Sequence, residues 1–229
     1  MAEQTPETLN HFAMLSFTEA YWRLPPESRR GVRDGFLSRL GAAADAVHLY
    51  QLTALESQAD LLVWSASAAA SPEASARFFA GWAGAIAPAR EYIISRDVLW
   101  GYTRPSQYTK TRSTQELDPF APSRGRYLIV YPFVKTAEWY QLDRERRQEL
   151  MAGHIRIGTQ YKDITQLLLY SFGLQDQEFV VVYETEDMRR FLALVNELRA
   201  TEARVYTARD WPLHVGIYQP DSEALAPWL

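Results

Sequence analysis

The chain has 229 residues, no cysteine and a formal net charge of −4, and 47% of its residues are hydrophobic. These values favour a globular fold of one large or two small domains, and they exclude disulfides, thiolate metal sites and thiol catalysis. The negative net charge argues against nucleic acid or an anionic membrane as a partner. No stretch approaches the roughly 18 apolar residues of a membrane helix, so we expect a cytoplasmic protein.

The first half of the chain predicts the element order β-α-β-β-α-β. Short apolar runs indicate strands, and periodic runs between proline or glycine signals indicate helices. The predicted elements are a strand at 11–17, a helix opened by Pro25 and Pro26 and closed by Gly41, strands at 46–54 and 60–66, a helix near 72–87 and a strand near 91–102.

The segment "RPSQYTKTRSTQELDPFAPSRG" at 104–125 is rich in Pro, Ser, Thr and charge, and it has few apolar residues to pack. This composition is typical of a linker. We therefore place a domain boundary within it and predict an N-terminal unit at 1–110 and a C-terminal unit at 111–229.

The second half repeats the same order of elements. The predicted elements are a strand at 126–133 ending near Tyr131 and Pro132, a helix over 144–158 with Asp143 as N-cap, strands near 164–171 and 178–184, a helix near 187–199 and a strand near 204–218. Two local sequences also match, "YWRLPPESRR" at 21–30 and "WYQLDRERRQ" at 139–148, so that Trp22 corresponds to Tyr140, 118 residues later. We predict an α+β chain with an internal repeat, whose two antiparallel sheets bury their uncovered faces against each other.

His154 shares one face of the predicted helix with Leu150, Ile157 and Tyr161, so its imidazole faces something buried. One interpretation is a core histidine bonded to a backbone carbonyl. The other is a metal ligand, and because the remaining histidines show no ligand spacing, a porphyrin that needs only one axial imidazole is the metal group that fits.

Four further polar residues have both a structural and a functional interpretation. In the structural interpretation, Tyr131 is a packed tyrosine and Lys135 is a solvated lysine. In the functional one, Tyr131 is a redox tyrosine, and Lys135 holds an anion or supplies a proton. Gln166 shares a strand face with Ile164 and Leu168 and needs a partner, either backbone or a ligand on iron. Glu202 is an ordinary surface residue or the acceptor for the second nitrogen of an iron-bound imidazole. Arg204 is solvent-exposed or pairs with a carboxylate.

Several of these residues lie in segments that resemble the chlorite dismutase and coproheme decarboxylase family of haem proteins. The segments are "YPFVKTAEWYQL", "RRQELMAGHIRIGTQY", "ITQLLLYSFGLQDQEFVVVYET" and "LRATEARVYTARD", in order from about 126 to 216. In the N-terminal half the resemblance depends on the repeat and on "LWGYTRPSQY".

The resemblance implies two tandem ferredoxin-like units that form a dimeric α+β barrel within one chain, haem held in the C-terminal unit, and a homopentamer. It implies that His154 is the proximal iron ligand and that Glu202 orients it. Trp139 is then the aromatic residue beside the porphyrin on the same side. An arginine that contacts a propionate in relatives is missing here, and Arg204, Arg124 or Arg126 are candidates to replace it.

The resemblance also implies a reaction. Members that split chlorite carry an arginine where Gln166 stands, whereas one branch of coproheme decarboxylases has this glutamine with a "YP…K" motif that matches Tyr131 and Lys135. The implied activity is peroxide-dependent: Fe-coproporphyrin III, or coproheme, is both substrate and redox cofactor, Tyr131 forms a radical, and two propionates become the vinyls of haem b. Lys135 would then help with protons and charge, and Gln166 would steady the distal ligand.

Three other interpretations remain open at this stage. A haem-binding carrier or sensor would need His154 but would have no use for an oxidisable tyrosine. A chlorite dismutase is disfavoured by the uncharged Gln166. A barrel without haem would leave His154 as a core residue.

Overall fold

The computed structural model describes residues 7–105 and 115–229, and the predicted order of elements is observed in both halves. The N-terminal half contains β1 (Thr8–Phe17), α1 (Glu19–Trp22), α2 (Pro26–Gly41), β2 (Ala46–Gln51), β3 (Leu61–Ala68), α3 (Pro72–Ile86) and β4 (Ile93–Thr103). The C-terminal half contains β5 (Tyr127–Lys135), α4 (Ala137–Gln141), α5 (Arg144–Gly158), β6 (Thr165–Tyr170), β7 (Phe179–Thr185), α6 (Met188–Arg199), β8 (Thr207–Arg209) and β9 (His214–Gln219). The predicted boundary at residue 110 lies outside the described residues, so the division into two units stays a prediction.

The helices begin where local chemistry satisfies their first N–H groups. Pro26 occupies the first turn of α2, where its missing N–H costs nothing. The Asp143 side chain caps α5 by accepting a hydrogen bond from the Arg146 backbone N–H at 2.7 Å. Thr18 and Thr136, 118 residues apart, precede the short helices α1 and α4, which the sequence analysis did not predict. These helices carry the matched aromatic pairs, so the repeat is structural as well as sequential.

The strands form one closed antiparallel barrel. Their order is β7-β6-β4-β1-β3-β2-β9-β5, and β5 pairs again with β7, while β8 extends the end of β5. Within each half the first strand lies between the third and the fourth, which is the order of a ferredoxin-like β-α-β-β-α-β unit. The predicted dimeric α+β barrel is therefore confirmed.

Two glycines allow the halves to join. Where β4 meets β6, a Cβ on Gly101 would lie 2.7 Å from the Tyr170 carbonyl oxygen. Where β2 meets β9, a Cβ on Gly216 would lie 2.6 Å from the Cβ of Tyr50. Each junction thus requires a residue without a side chain.

The barrel interior is filled from both halves, and the helices cover its outside. Phe12, Trp64 and Leu128 belong to the inner core, together with Leu167 and Val182. A second core lies between the N-terminal strands and α2 and α3. A smaller one lies between the C-terminal strands and α5 and α6. Within the described residues, no helix is long and apolar enough to cross a membrane.

Three local predictions are wrong. Pro132 does not end β5, because the strand continues to Lys135 and stays in register with β7. On the other edge of β5, β9 pairs only as far as Val130. The N–H that Pro132 lacks is therefore not needed for pairing with β9. The predicted strand at 204–218 is a 3₁₀ helix over Glu202–Tyr206 followed by the separate strands β8 and β9. Part of the predicted linker is packed, since Leu117 is buried in the barrel core.

Candidate active site

His154 lies on the face of α5 that turns toward the C-terminal sheet, one turn after the buried Leu150. The side chain is half-buried, and none of the described residues hydrogen-bonds to it. Burial, and to a smaller extent the charge of Lys135, lower the pKa of His154 to about 4. The imidazole is therefore neutral with a free nitrogen, which is the form that binds a metal.

Lys135 lies beside His154 at the end of β5. Its surroundings favour the neutral form of the lysine more strongly than water does. Its Nζ lies 4.1 Å from the centre of the Trp139 ring and donates a 3.4 Å hydrogen bond to the Ala203 carbonyl. Burial and the nearby Arg204 charge lower the pKa of Lys135 to about 8, against the opposing effect of Glu178. The side chain can thus hold an anion or exchange a proton near neutral pH.

Glu178 is part of this arrangement, although the sequence analysis did not single it out. It accepts hydrogen bonds from the Lys135 backbone N–H at 2.7 Å and from the Tyr140 hydroxyl at 2.5 Å. One carboxylate thus ties the end of β5 to α4, which carries Trp139, so the lysine and the tryptophan keep a fixed relation.

Tyr131 projects from the outer face of β5 toward the helices. Its ring stacks on that of Tyr183 at a centroid distance of 6.3 Å. Burial raises the pKa of Tyr131 well above its usual value, and Tyr183 and Asp210 raise it further. The phenol is therefore protonated over the whole neutral range.

Gln166 lies on the same outer face. It is the direct cross-strand partner of Tyr183, and residues paired in this way point to the same side of a sheet. The expectation of a half-buried amide is wrong, because the Gln166 side chain is exposed and its backbone pairs with Gln115 and Leu117. Leu168, two residues on, is 42% exposed, so this part of the face is apolar and accessible.

Two predicted contacts are made with other residues. Glu202 is exposed and accepts a 2.9 Å hydrogen bond from Arg146 in place of His154, because residues 202–206 turn as a 3₁₀ helix at the surface. Arg204 pairs with Asp210 at 3.1 Å, close to Lys135.

The two other arginine candidates lie away from His154. Arg124 is buried against Glu184 and the Trp64 ring of the inner core. Arg126 pairs with Glu186 at the surface. Neither position is near the helix that carries His154, so Arg204 is the one that remains beside the site.

The other histidines have separate surroundings. His11 is buried among aromatic rings of the N-terminal half, His48 contacts the Pro119 carbonyl at 2.8 Å, and His214 lies between Glu56 and Asp97. Across residues 7–105 and 115–229, no cluster of three or more His, Asp or Glu could hold a metal ion. A metal at His154 would therefore have to bring most of its own ligands.

Like Glu178, Tyr183 and Asp210 are residues near this site that were not predicted from the sequence. The alternation in "EFVVVYET" places Tyr183 on one face with Val181, which was an available signal. Asp210 had none, because its position depends on the pairing of β8 with the end of β5.

The chain is similar to proteins of known sequence and structure. The family model described as chlorite dismutase matches residues 20–219. A coproheme decarboxylase of Mycolicibacterium smegmatis is 31% identical over 171 residues, which are 73% of this chain and 71% of the relative. A coproheme decarboxylase of Staphylococcus saprophyticus is 35% identical over 45% of this chain and 43% of the relative. The structure of a chlorite dismutase variant from Candidatus Nitrospira defluvii superposes with a TM-score of 0.81 at 26% identity, covering 96% of this chain and 94% of the other.

Proposed function

Because the chain belongs to the chlorite dismutase family, we propose that it is a coproheme decarboxylase that converts Fe-coproporphyrin III to haem b with hydrogen peroxide. The named coproheme decarboxylases among its relatives support this activity. The observation that carries the proposal is the position of the neutral His154 and of Lys135 beside Trp139, next to the sheet face that presents Tyr131 and Gln166.

The helix that carries His154 buries fewer side chains than α2, its counterpart in the N-terminal half. In α2 the side chains of Arg33, Phe36 and Leu40 are buried, whereas in α5 only Leu150 is. The exposed Leu168 would be covered by an apolar ring lying on this face. These residues fit a porphyrin whose iron takes His154 as axial ligand.

In this proposal the chain's own residues have distinct roles. Bound coproheme supplies the redox-active metal centre and the propionates that react. His154 holds the iron, Trp139 packs beside the ring, and Lys135 exchanges a proton or holds a propionate. Gln166 touches the ligand on the other side without adding charge.

Tyr131 would be the residue that is oxidised. Each conversion of a propionate to a vinyl releases carbon dioxide, a proton and two electrons, and one molecule of peroxide takes up the electrons and becomes water. The Tyr131 radical takes a hydrogen atom from the propionate side chain and is thereby restored. The carbon radical left behind gives its remaining electron to the still-oxidised substrate and loses carbon dioxide, which leaves the vinyl group. Two rounds give haem b, so few catalytic side chains are needed.

The uncharged Gln166 argues against chlorite as the substrate, because a fixed positive charge near iron would be needed to retain an anion. The alternative is a protein that carries or senses haem without converting it. The experiment must distinguish this alternative from decarboxylation. Assembly as a homopentamer and a cytoplasmic location remain part of the proposal.

The test loads the full chain with Fe-coproporphyrin III without oxygen, adds peroxide stepwise and identifies the porphyrins by chromatography and mass spectrometry. We expect stepwise conversion to haem b in the wild type and in Tyr127→Phe, a control on the same face of β5. We expect Tyr131→Phe to bind the porphyrin and not convert it. Binding with bleaching alone in all three proteins would reject decarboxylation and favour carriage.

A further inference from the structure

The turn that joins α5 to β6 connects two residues of the proposed site. His154 lies one helical turn before Gly158, the last residue of α5, and Gln166 is the second residue of β6. Because the helix and the strand are each rigid, the conformation of residues 159–164 determines how the imidazole lies relative to the amide. The contacts that fix this turn therefore bear on the geometry of the site.

The side chain of Gln115 fixes this turn. Its amide nitrogen donates hydrogen bonds to three backbone carbonyls, those of Tyr161 at 2.8 Å, Ile164 at 3.0 Å and Gly158 at 3.3 Å. Since the amide has two N–H groups, two of the carbonyls share one of them. The last carbonyls of a helix have no partner within it, so a donor from elsewhere in the chain satisfies them. One amide thus spans the connection from the end of α5 to the start of β6.

The backbone around Gln115 is itself fixed to β6. The Gln166 N–H donates to the Gln115 carbonyl at 2.8 Å, and the Leu117 N–H donates to the Gln166 carbonyl at 2.9 Å. Glu116 lies opposite Gln166 in this short parallel bridge. Leu117 is 4% exposed in the inner core and anchors the segment there. Gln115 therefore has a defined position relative to β6, and its amide connects the end of α5 to that position.

α5 has few other contacts that could fix its position. Leu150 is the one side chain of this helix that is buried, and a helix in a globular protein is held mainly by the side chains that it packs. Contacts at the two ends of α5 therefore matter more than usual. Asp143 caps the N-terminal end, and Gln115 donates to Gly158 at the C-terminal end, one turn after His154.

We propose that Gln115 is a positioning residue that fixes the end of α5, and with it the His154 imidazole, relative to the strand of Gln166. This inference rests on the proposed function, in which His154 holds the iron and Gln166 lies on the other side of the ligand. Without the Gln115 amide, the turn and the end of α5 shift relative to β6, and the imidazole takes more than one orientation. Gln115 acts through α5 and not by contact with the ligand.

The experiment makes two measurements on the coproheme-loaded full chain. Resonance Raman spectra of the ferrous protein give the iron–histidine stretching band, which reports the orientation of the axial imidazole. Transfer of coproheme to excess apomyoglobin gives its rate of release. The variants are Gln115→Glu, which keeps the size of the side chain and lacks both N–H donors at neutral pH, and Gln115→Met, which removes the donors without adding charge.

The matched control is Gln160→Glu. This exposed amide lies on the same turn, but it donates to the Arg156 carbonyl at 3.4 Å, within the helix end itself, and makes no connection to β6. Circular dichroism and urea unfolding show whether each variant keeps the fold.

We expect both Gln115 variants to broaden or split the iron–histidine band and to release coproheme about tenfold faster than the wild type, as loss of a group that orients a metal ligand does. Gln160→Glu should match the wild type in both measurements. A lower stability with an unchanged band and release rate, or loss of the fold in both variants, would show that Gln115 serves only the fold and would overturn the inference alone. An equal effect in Gln160→Glu would also overturn it. A wild type without an iron–histidine band, or with a band that persists in His154→Phe, would overturn the proposed function as well.

Discussion

Phe36 of α2 and His154 of α5 occupy equivalent positions in the two halves, 118 residues apart. Phe36 is 1% exposed and packs in the N-terminal core, whereas His154 is half-buried and has no hydrogen-bond partner in the described chain. The N-terminal half thus has an apolar side chain at a position that only stabilises the core. The C-terminal half has an imidazole at the equivalent position, where we expect a ligand to bind. Exchanging the two residue types separates these roles.

We expect His154→Phe to keep the fold, with a free energy of unfolding equal to or up to about 1 kcal/mol above that of the wild type, because a neutral unpaired imidazole is replaced by an apolar ring. The same variant should lose the absorption band of the histidine-ligated iron porphyrin. Urea unfolding and a spectral titration with Fe-coproporphyrin III measure the two effects.

The reciprocal change is the control. Phe36→His places an unpaired polar ring in a full core and should cost about 2–4 kcal/mol without creating a porphyrin site. Equal losses of stability in both variants would show that His154 is a core residue and would contradict its assignment as a ligand.

The junction glycines give a second prediction, about the barrel. Gly216→Ala should lower the free energy of unfolding by about 1–3 kcal/mol, because the new methyl group would meet the Cβ of Tyr50 at 2.6 Å. Gly84→Ala on α3 is the matched control: no atom lies within 4 Å of the added methyl group, and a helical Gly→Ala change should stabilise by roughly 0.5–1 kcal/mol. Destabilisation of similar size in both variants, measured by urea unfolding, would contradict the close approach at the junction.

The sequence predicted the elements well because their signals are local. Pro26 and Asp143 mark helix starts by chemistry that involves only the next few residues, and the repeat predicts that both halves use one plan. The sequence predicted the residues of the site less completely than it predicted the helices and strands. The Gln166 side chain is exposed on the outer face of β6, and Asp210 is placed by the pairing of β8 with the end of β5. Such contacts depend on register between distant strands, which no periodicity reports.

His11 provides a third prediction, on acid stability. It is 4% exposed, its Nδ1 has no hydrogen-bond partner among the described residues, and burial lowers its pKa to about 3. A histidine whose pKa is depressed in the folded state stabilises fully above its unfolded value near 6.5, and the contribution falls as the pH drops below that value toward 3. We expect His11→Phe to reduce the loss of stability between pH 6.5 and 4, measured by urea unfolding. An unchanged slope over this range would contradict a neutral buried imidazole.

His214 should have the opposite dependence on pH. Burial alone would lower its pKa, but hydrogen bonds to Asp97 at 3.2 Å and Glu56 at 2.9 Å raise it to about 9. Both carboxylates belong to the N-terminal half and His214 begins β9, so the charged imidazole joins the two halves.

A group whose folded pKa is raised stabilises fully below its unfolded value near 6.5 and loses this contribution as the pH rises through 9. We therefore expect the wild type to lose roughly 2–3 kcal/mol of unfolding free energy between pH 6.5 and 9.5 through this group. His214→Gln should be less stable at pH 6.5 and nearly flat over the same range, and His48→Gln, which alters a histidine bonded to a backbone carbonyl, should keep the wild-type slope. If His214→Gln retains that slope, the charge on His214 does not hold the halves together, and the junctions depend on strand pairing and the inner core alone.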